Sequence, residues 1–154
     1  MARDGDGSGR RQGDPVHRSS PRVRLELEKG RDGASGVAVL RLGGEFDIDT
    51  VPEIDRFLRR RVGPLYHRRT LVFDLRDVTF VDSTFIGFIV RLAGEERRGR
   101  GELVLVGPVG RVRGHLCIVG LPNLVPVYES TDDALRALRE ASSPLIPPSV
   151  KLAG

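Results

Sequence analysis

The side chains best suited to chemistry in this sequence are Asp82 and Ser83, which lie between two strongly apolar stretches. Residues 71–75 (LVFDL) before them are typical of a strand buried on both faces, a short apolar segment follows at 78–81, and the residues after Ser83 have helical periodicity. Both are N-cap residue types, because their side-chain oxygens accept hydrogen bonds from free N–H groups in the first helical turn. A hydroxyl at the positive end of a helix can also carry a phosphate, since that end favours anions. On residue types alone Ser83 is therefore a helix cap, at a helix end that would also tolerate a negative charge.

Residues 46–51 (FDIDTV) are a second candidate, because they fit the D-x-D-x-T-V box of phosphatases that use an aspartate nucleophile. That chemistry requires the first aspartate at the end of a buried strand, with Mg²⁺ beside it. Here a glycine-rich stretch precedes it, and no lysine lies between Lys29 and Lys151 to hold the phosphate as in those enzymes. A capping box of Thr50 with Glu53 at the start of a helix accounts better for this stretch.

The remaining candidate ligands do not form a site. His115 and Cys117 are two residues apart, so on a helix they point to different sides, and neither His17 nor His67 is placed to complete a metal site. The sequence contains no G-x-x-x-x-G-K-[ST] loop for nucleotide phosphates. We predict no metal, no cofactor and no catalytic activity of the protein's own.

The apolar pattern places these residues within an alternating series of strands and helices. Strand patterns occur at residues 23–27, 37–42, 71–75 followed by 78–81, 103–106 and 125–128. Helical spacing recurs at Val51, Ile54, Leu58 and Val62 and at Val109, Val112, Leu116 and Val119, and it predicts core-facing residues at Ile86, Ile89, Val90 and Ala93 and at Leu135 and Leu138. The order β-β-α-β-α-β-α-β-α favours an α/β fold with helices layered on a sheet.

The composition indicates a single domain with two tails. We predict a disordered tail over residues 1–21, a domain over 22–140 and a flexible tail over 141–154. No apolar run approaches the roughly 20 residues of a membrane span, and the N-terminal residues lack the apolar stretch of a signal peptide. With one cysteine, this predicts a soluble, cytoplasmic protein.

Nucleic-acid binding is an alternative function that the charge suggests. The formal net charge is +4, and all basic residues except two are arginine. However, the 21 acidic residues are interspersed, and the chain has no Trp and only 2 Tyr for stacking on bases. We therefore expect no direct contact with nucleic acid.

The ordered set of motifs resembles the STAS domain of bacterial anti-sigma factor antagonists. The resemblance covers roughly residues 22–140, and no single motif carries it. The matching segments are residues 44–47 (GEFD), 71–75 (LVFDL), 78–84 (VTFVDST), 103–106 (LVLV) and 120–121 (GL). The resemblance implies a STAS-like layered α/β fold, with a central mixed sheet of about five strands and about four helices.

The resemblance also implies a function. In that family the serine directly after this aspartate is phosphorylated by a partner kinase that also serves as the anti-sigma factor; matched residue by residue, it is Ser83. Unphosphorylated, the protein would bind the anti-sigma factor and free the sigma factor. Phosphorylation would add about −1.5 to −2 of charge and prevent docking without unfolding the domain. The residues expected to contact the partner are Asp47, Asp82, Ser83, Thr84, Phe85, Ile86 and Phe88.

One departure from the family pattern leaves alternatives open. The family usually has Gly two positions after the phosphorylated serine, where this chain has Phe85, although Gly87 keeps the next glycine. Phe85 either fills a partner pocket or obstructs the kinase, and with Phe88 it forms an apolar row that is either core or partner surface. Thr84 is a possible substitute acceptor. The alternative within this fold is an interaction module that is not phosphorylated.

Overall fold

A computed structural model describes residues 16–17, 22–28, 36–99 and 101–141 as a mixed β-sheet packed against helices. Its strands are β1 (Val16–His17), β2 (Val23–Glu28), β3 (Val37–Phe46), β4 (Thr70–Val81), β5 (Leu103–Val106) and β6 (Val127–Tyr128). Its helices are α1 (Val51–Arg61), α2 (Ser83–Gly99), α3 (Gly110–Ile118) and α4 (Thr131–Ala141), with short 3₁₀ turns at Tyr66–Arg68 and Leu121–Asn123. The predicted α/β class and the predicted order of elements from residue 23 onward are confirmed.

The sheet follows chain order, β1-β2-β3-β4-β5-β6. The pairs β1/β2 and β2/β3 are antiparallel, whereas β3/β4, β4/β5 and β5/β6 are parallel. The described part of the chain contains the five predicted strands and one more, because Val16–His17 pairs with β2 inside the range predicted as a disordered tail. The other residues of the predicted N-terminal tail, 1–15 and 18–21, and residues 142–154 of the predicted C-terminal tail lie outside the described residues.

Hydrophobic cores cover both faces of the central strand β4. Leu71, Phe73 and Leu75 are buried in a cluster that includes side chains of α1, α2 and α3. Val72 belongs to a second cluster, which contains Ala134 and other residues of α4. Successive residues of a strand point to opposite faces, so this alternation confirms the prediction of a strand buried on both sides.

Two strand boundaries in the prediction are wrong. Strand β4 continues without interruption to Val81, although Arg76 and Asp77 suggested a break after residue 75. These two side chains are exposed, so the strand accommodates them without burying charge. Strand β3 runs to Phe46 rather than ending at residue 42, with irregular pairing to β4 near Gly43 and Gly44.

The four helices of the described residues all fall short of the length or the apolar character that a membrane-spanning helix needs.

Candidate functional site

The candidate site lies where β4 passes into α2. Strand β4 ends at Val81 and α2 begins at Ser83, leaving Asp82 as the residue between them. The Asp82 carboxylate oxygen Oδ1 accepts hydrogen bonds from the backbone N–H groups of Thr84 at 2.8 Å and Phe85 at 3.3 Å. Asp82 is therefore the N-cap of α2, because it satisfies N–H groups that the helix itself leaves free.

Ser83 is the first residue of α2, and it is exposed. Within the described residues its hydroxyl makes no hydrogen bond, so Ser83 does not serve as the cap. The structure thereby excludes the helix-cap role for Ser83, which was one of its two predicted roles. A hydroxyl that neither packs nor caps is accessible to another protein.

Asp47 lies beside this junction. It follows Phe46, which pairs with Val81 in the parallel register of β3 and β4, so Asp47 and Asp82 both stand just beyond the carboxyl ends of neighbouring strands. The Asp47 carboxylate forms a salt bridge with Arg22. This bond lowers the pKa of Asp47; burial opposes the shift, and N–H groups of Asp49 and Thr50 support it. Asp47 is thus ionised, but Arg22 compensates its charge.

The predicted capping box at the start of α1 does not form. Thr50 is the N-cap residue by position, yet its side chain makes no cap hydrogen bond. Its hydroxyl instead donates to the Glu45 carbonyl oxygen at 2.7 Å and accepts from the Asp47 N–H at 2.9 Å. This prediction is wrong because the hydroxyl is engaged by the turn between β3 and α1, where Asp47 accepts from the Asp49 N–H at 2.9 Å.

The backbone geometry explains why the GEFD segment begins with a glycine, Gly44. Its φ angle is +100°, in the region that favours glycine, and an added Cβ would lie 1.9 Å from the Arg22 carbonyl oxygen. Glu45 N–H donates to that same oxygen at 3.0 Å. The glycine thus allows the start of β2 to approach the end of β3 closely and brings Arg22 to Asp47.

The α2 side chains correct part of the predicted partner surface. Phe85 is fully buried, with its ring centroid 6.0 Å from that of Phe46, and Phe88 is only 4% exposed. Both belong to the core because this row of α2 faces the sheet and α1, so Phe85 offers no surface to a partner and Phe88 only a small exposed edge. Ile86 is half-buried, and Val90, predicted to face inward, is exposed. The inward face of α2 comprises Phe85, Phe88, Ile89, Leu92, Ala93 and Glu96.

Apolar side chains that the sequence did not single out surround Ser83. A cavity of about 410 Å³ between the end of β4 and α3, here the Ile118 cavity, is lined by Phe80, Val81 and Ile118 among others. A cavity of about 360 Å³ between α1 and α2, the Ile48 cavity, is lined by Ile48 and Thr84 among others. Ile48, Phe80 and Ile118 are 70%, 47% and 85% exposed. Val81 lines one cavity and Thr84 the other, so residues on either side of Ser83 in the chain border the two cavities, although Ser83 lines neither.

The site shows no arrangement for metal chemistry within the described residues. No group of three or more His, Cys, Asp or Glu side chains there is placed to hold a metal ion. Asp47, the first aspartate of the phosphatase-like box, is held by Arg22 and by the turn.

The fold agrees with comparisons to known proteins. The sequence model of the STAS domain matches residues 30–134, and the chain belongs to the STAS-domain family. It is similar to the anti-sigma-B factor antagonist of Staphylococcus aureus, at 32% identity over 95 residues that cover 60% of this chain and 84% of the relative. The resemblance inferred from the motifs is thereby confirmed.

Solved structures show the same fold. An anti-sigma factor antagonist from Mycobacterium paratuberculosis has 27% sequence identity and a TM-score of 0.63, covering 79% of this chain and 98% of that protein. The anti-sigma factor antagonist SpoIIAA in its unphosphorylated form has 21% identity and a TM-score of 0.57, covering 75% of this chain and 96% of that protein. At that identity the second similarity concerns the fold alone.

Proposed function

We propose that the protein is an anti-sigma factor antagonist that binds an anti-sigma factor and is switched off by phosphorylation of Ser83. One observation carries the proposal: the Ser83 hydroxyl is exposed at the first position of α2, while Asp82 takes over the capping role. The curated relative from Staphylococcus aureus, named an anti-sigma-B factor antagonist, supports the assignment of the partner class.

Binding of the unphosphorylated protein is favoured by the apolar side chains beside Ser83. Ile48 and Ile118 are among the most exposed large apolar residues of the described chain, and Phe80 stands on the same side as Ile118. Burying apolar surface stabilises a complex by about 25 cal/mol per Å², before the costs of association. A partner that covers both cavities must also cover Ser83. Burying a neutral hydroxyl costs little free energy when the hydroxyl forms a hydrogen bond with the partner.

Phosphorylation changes that balance. The phosphate adds about −1.5 to −2 of charge to a site that already holds the Asp82 carboxylate. The N-terminus of α2 tolerates the added charge, because its N–H groups and dipole favour anions. Covering the phosphate with an apolar partner surface, however, removes it from water without a compensating charge. The domain therefore stays folded, whereas its binding to the anti-sigma factor is lost.

The chemical step requires only an acceptor from this chain. The Ser83 Oγ attacks the γ-phosphorus of ATP held by the kinase, the bond to the ADP oxygen breaks, and the hydroxyl proton passes to a base of the kinase. Phe85 does not hinder this approach, because its ring is buried beneath the helix rather than exposed beside Ser83. The departure from the family glycine therefore does not count against phosphorylation of Ser83.

The test is a pairwise assay against the anti-sigma factor kinases encoded in the same genome as this chain. Each purified kinase is incubated with the protein and Mg-ATP, and the modified peptide is mapped by mass spectrometry. We expect one phosphate on Ser83, none on Ser83→Ala, and unchanged modification of Thr84→Val, which removes the neighbouring hydroxyl. Phosphate on Thr84 alone, or binding of Ser83→Asp as tight as that of the parent, contradicts the proposal.

A further inference from the structure

The Ile48 cavity continues into a second, larger cavity along the same pair of helices. The second cavity, of about 550 Å³, shares Asp55, Phe88 and Arg91 with the Ile48 cavity and extends to Arg98. We call the two together the α1–α2 groove. Between Thr84 at one end and Arg98 at the other, α2 rises about 21 Å. The groove thus begins beside Ser83 and runs nearly the full length of α2.

The far part of this groove is cationic. The far cavity is lined by four arginines against two carboxylates, those of Asp55 and Glu95; the arginines are Arg59, Arg68, Arg91 and Arg98, of which Arg91 also lines the Ile48 cavity together with Arg56. Among the described residues, no carboxylate forms a salt bridge with Arg68, Arg91 or Arg98. Three guanidinium groups with unused donors therefore converge on one surface.

Asp55 compensates chiefly Arg59, which donates to it, and to a lesser extent Arg91. It accepts hydrogen bonds from the Tyr66 hydroxyl at 2.5 Å and from Arg59 Nε at 2.9 Å. Burial acts to raise the pKa of Asp55, but these two hydrogen bonds and the charges of Arg59 and Arg91 together outweigh it, and the pKa lies below its ordinary value. Burial and the bond to Asp55 likewise raise the pKa of Tyr66, which keeps its proton. Both oxygens of the Asp55 carboxylate are thus engaged by side chains of the protein itself.

We infer that the α1–α2 groove receives an acidic segment of the anti-sigma factor that docks at Ser83. The inference rests on the proposed function, because it assumes that a protein covers the Ser83 end. Charge complementarity selects the occupant: the Ser83 end is apolar at Ile48 and Val51, and the other end presents arginines without carboxylate partners. A segment with apolar residues followed by Asp or Glu matches this order. A small polyanion would occupy only the cationic end.

The experiment compares two arginines of the same helix. Arg98 lines the groove, whereas its neighbour Arg97 is exposed on α2 and does not line it, so Arg97→Glu is the matched control for Arg98→Glu. Affinity for the anti-sigma factor is measured by calorimetry at low and physiological ionic strength. We expect Arg98→Glu to weaken binding about threefold to fivefold and Arg91→Glu/Arg98→Glu about tenfold or more, with a flatter salt dependence. Arg97→Glu should stay within about twofold of the parent.

A second arm works without the cognate partner. It uses a labelled peptide of about 14 residues, which as a helix spans about 21 Å, with leucines at one end and glutamates at the other. Fluorescence anisotropy should show binding to the parent, weaker binding to Arg98→Glu, and no binding of the counterpart peptide with lysines in place of glutamates. Equal binding of both peptides, or equal losses for Arg97→Glu and Arg98→Glu, overturns the inference.

The outcomes separate this inference from the proposed function. If Ser83→Asp abolishes binding of the anti-sigma factor but Arg98→Glu behaves like Arg97→Glu, the inference is wrong and the switch stands. If no anti-sigma factor binds, the proposed function fails, and the peptide experiment tests the groove by itself. Binding of the glutamate peptide but not of the lysine peptide supports an acidic occupant, and equal binding of both overturns it. If tripolyphosphate raises the Tm of the parent but not of Arg98→Glu, while partner and peptide binding are unaffected, the groove takes a small anion and the inference is wrong.

Discussion

Replacement of Glu96 should stabilise the protein, because this carboxyl group is buried without a partner. Glu96 lies on the inward face of α2, is 1% exposed, and neither of its side-chain oxygens accepts or donates a hydrogen bond. Burial, with smaller contributions from the carboxylates of Glu95 and Glu102, raises the pKa of Glu96 to about 9. The group is therefore protonated in the folded protein at neutral pH and ionised in the unfolded chain.

The size of the effect follows from linkage. Between the ordinary pKa of 4.5 and the folded value of about 9, the folded state holds a proton that the unfolded state has released. The free energy of unfolding therefore falls as pH rises through this window, by up to about 1.4 kcal/mol per pH unit. At pH 7 the accumulated loss is about 3 kcal/mol, a large part of the 5–15 kcal/mol typical of a domain.

The assay is urea denaturation of the parent and of Glu96→Met between pH 5 and pH 9. Glu96→Met removes both the titration and the unsatisfied oxygens, so we expect it to be more stable at pH 7 by about 3 kcal/mol, with a flatter pH profile. Glu140→Gln, at an exposed position in α4, removes a carboxylate elsewhere and should follow the parent. If the parent and Glu96→Met show the same dependence on pH, Glu96 is ionised in the folded state and the reasoning is refuted.

Three further predictions concern the residues around the junction. Phe85→Ala should cost about 3–5 kcal/mol of unfolding free energy in urea, since the ring is fully buried; a loss below about 1 kcal/mol contradicts its place in the core. Gly44→Ala should destabilise the protein by at least about 2 kcal/mol, because residue 44 has a positive φ and the added Cβ would collide with a backbone oxygen. Gly87→Ala, where the added Cβ meets open space in a helix, should stabilise it by about 0.5–1 kcal/mol in the same assay. Asp82→Ala should lower the unfolding free energy by about 1 kcal/mol through loss of the cap, and Ser83→Ala should change it by less than about 0.5 kcal/mol; reversed magnitudes would make Ser83 the cap.

The order of the strands and helices was predictable because each element shows its own hydrophobic periodicity in the sequence. The buried run at residues 71–75 and the heptad-like spacing after Ser83 define β4 and α2 without knowledge of their neighbours. Boundaries were less predictable. Strand β4 continues through Arg76 and Asp77 because strand pairing and an exposed position, neither visible locally, accommodate the charges. Asp74 within it is tolerated by a bidentate contact with Arg76, at 3.0 Å and 2.6 Å.

The candidate site was predictable in part. The sequence identified Ser83 and both aspartates, but the side of α2 that faces the core depends on how α1 and the sheet pack against it. Two apolar rows lie on that helix, and the structure buries residues of both: the row of Phe85, and Ile89 and Ala93 of the predicted core row, which leaves Val90 exposed. The arginines of the α1–α2 groove come from α1, α2 and the turn at Tyr66–Arg68, so no local pattern brings them together. Exposed Ile48, between two aspartates, was the one local signal of an apolar contact surface.

The most direct test of the account is the affinity of the anti-sigma factor for the protein phosphorylated stoichiometrically on Ser83, measured beside the unmodified protein. We predict a loss of at least about 100-fold, or about 2.7 kcal/mol, with the Tm of the free protein shifted by no more than a few degrees. Equal affinity for the two forms, or a loss of affinity accompanied by unfolding of the phosphorylated protein, would contradict a switch that acts at the docking surface.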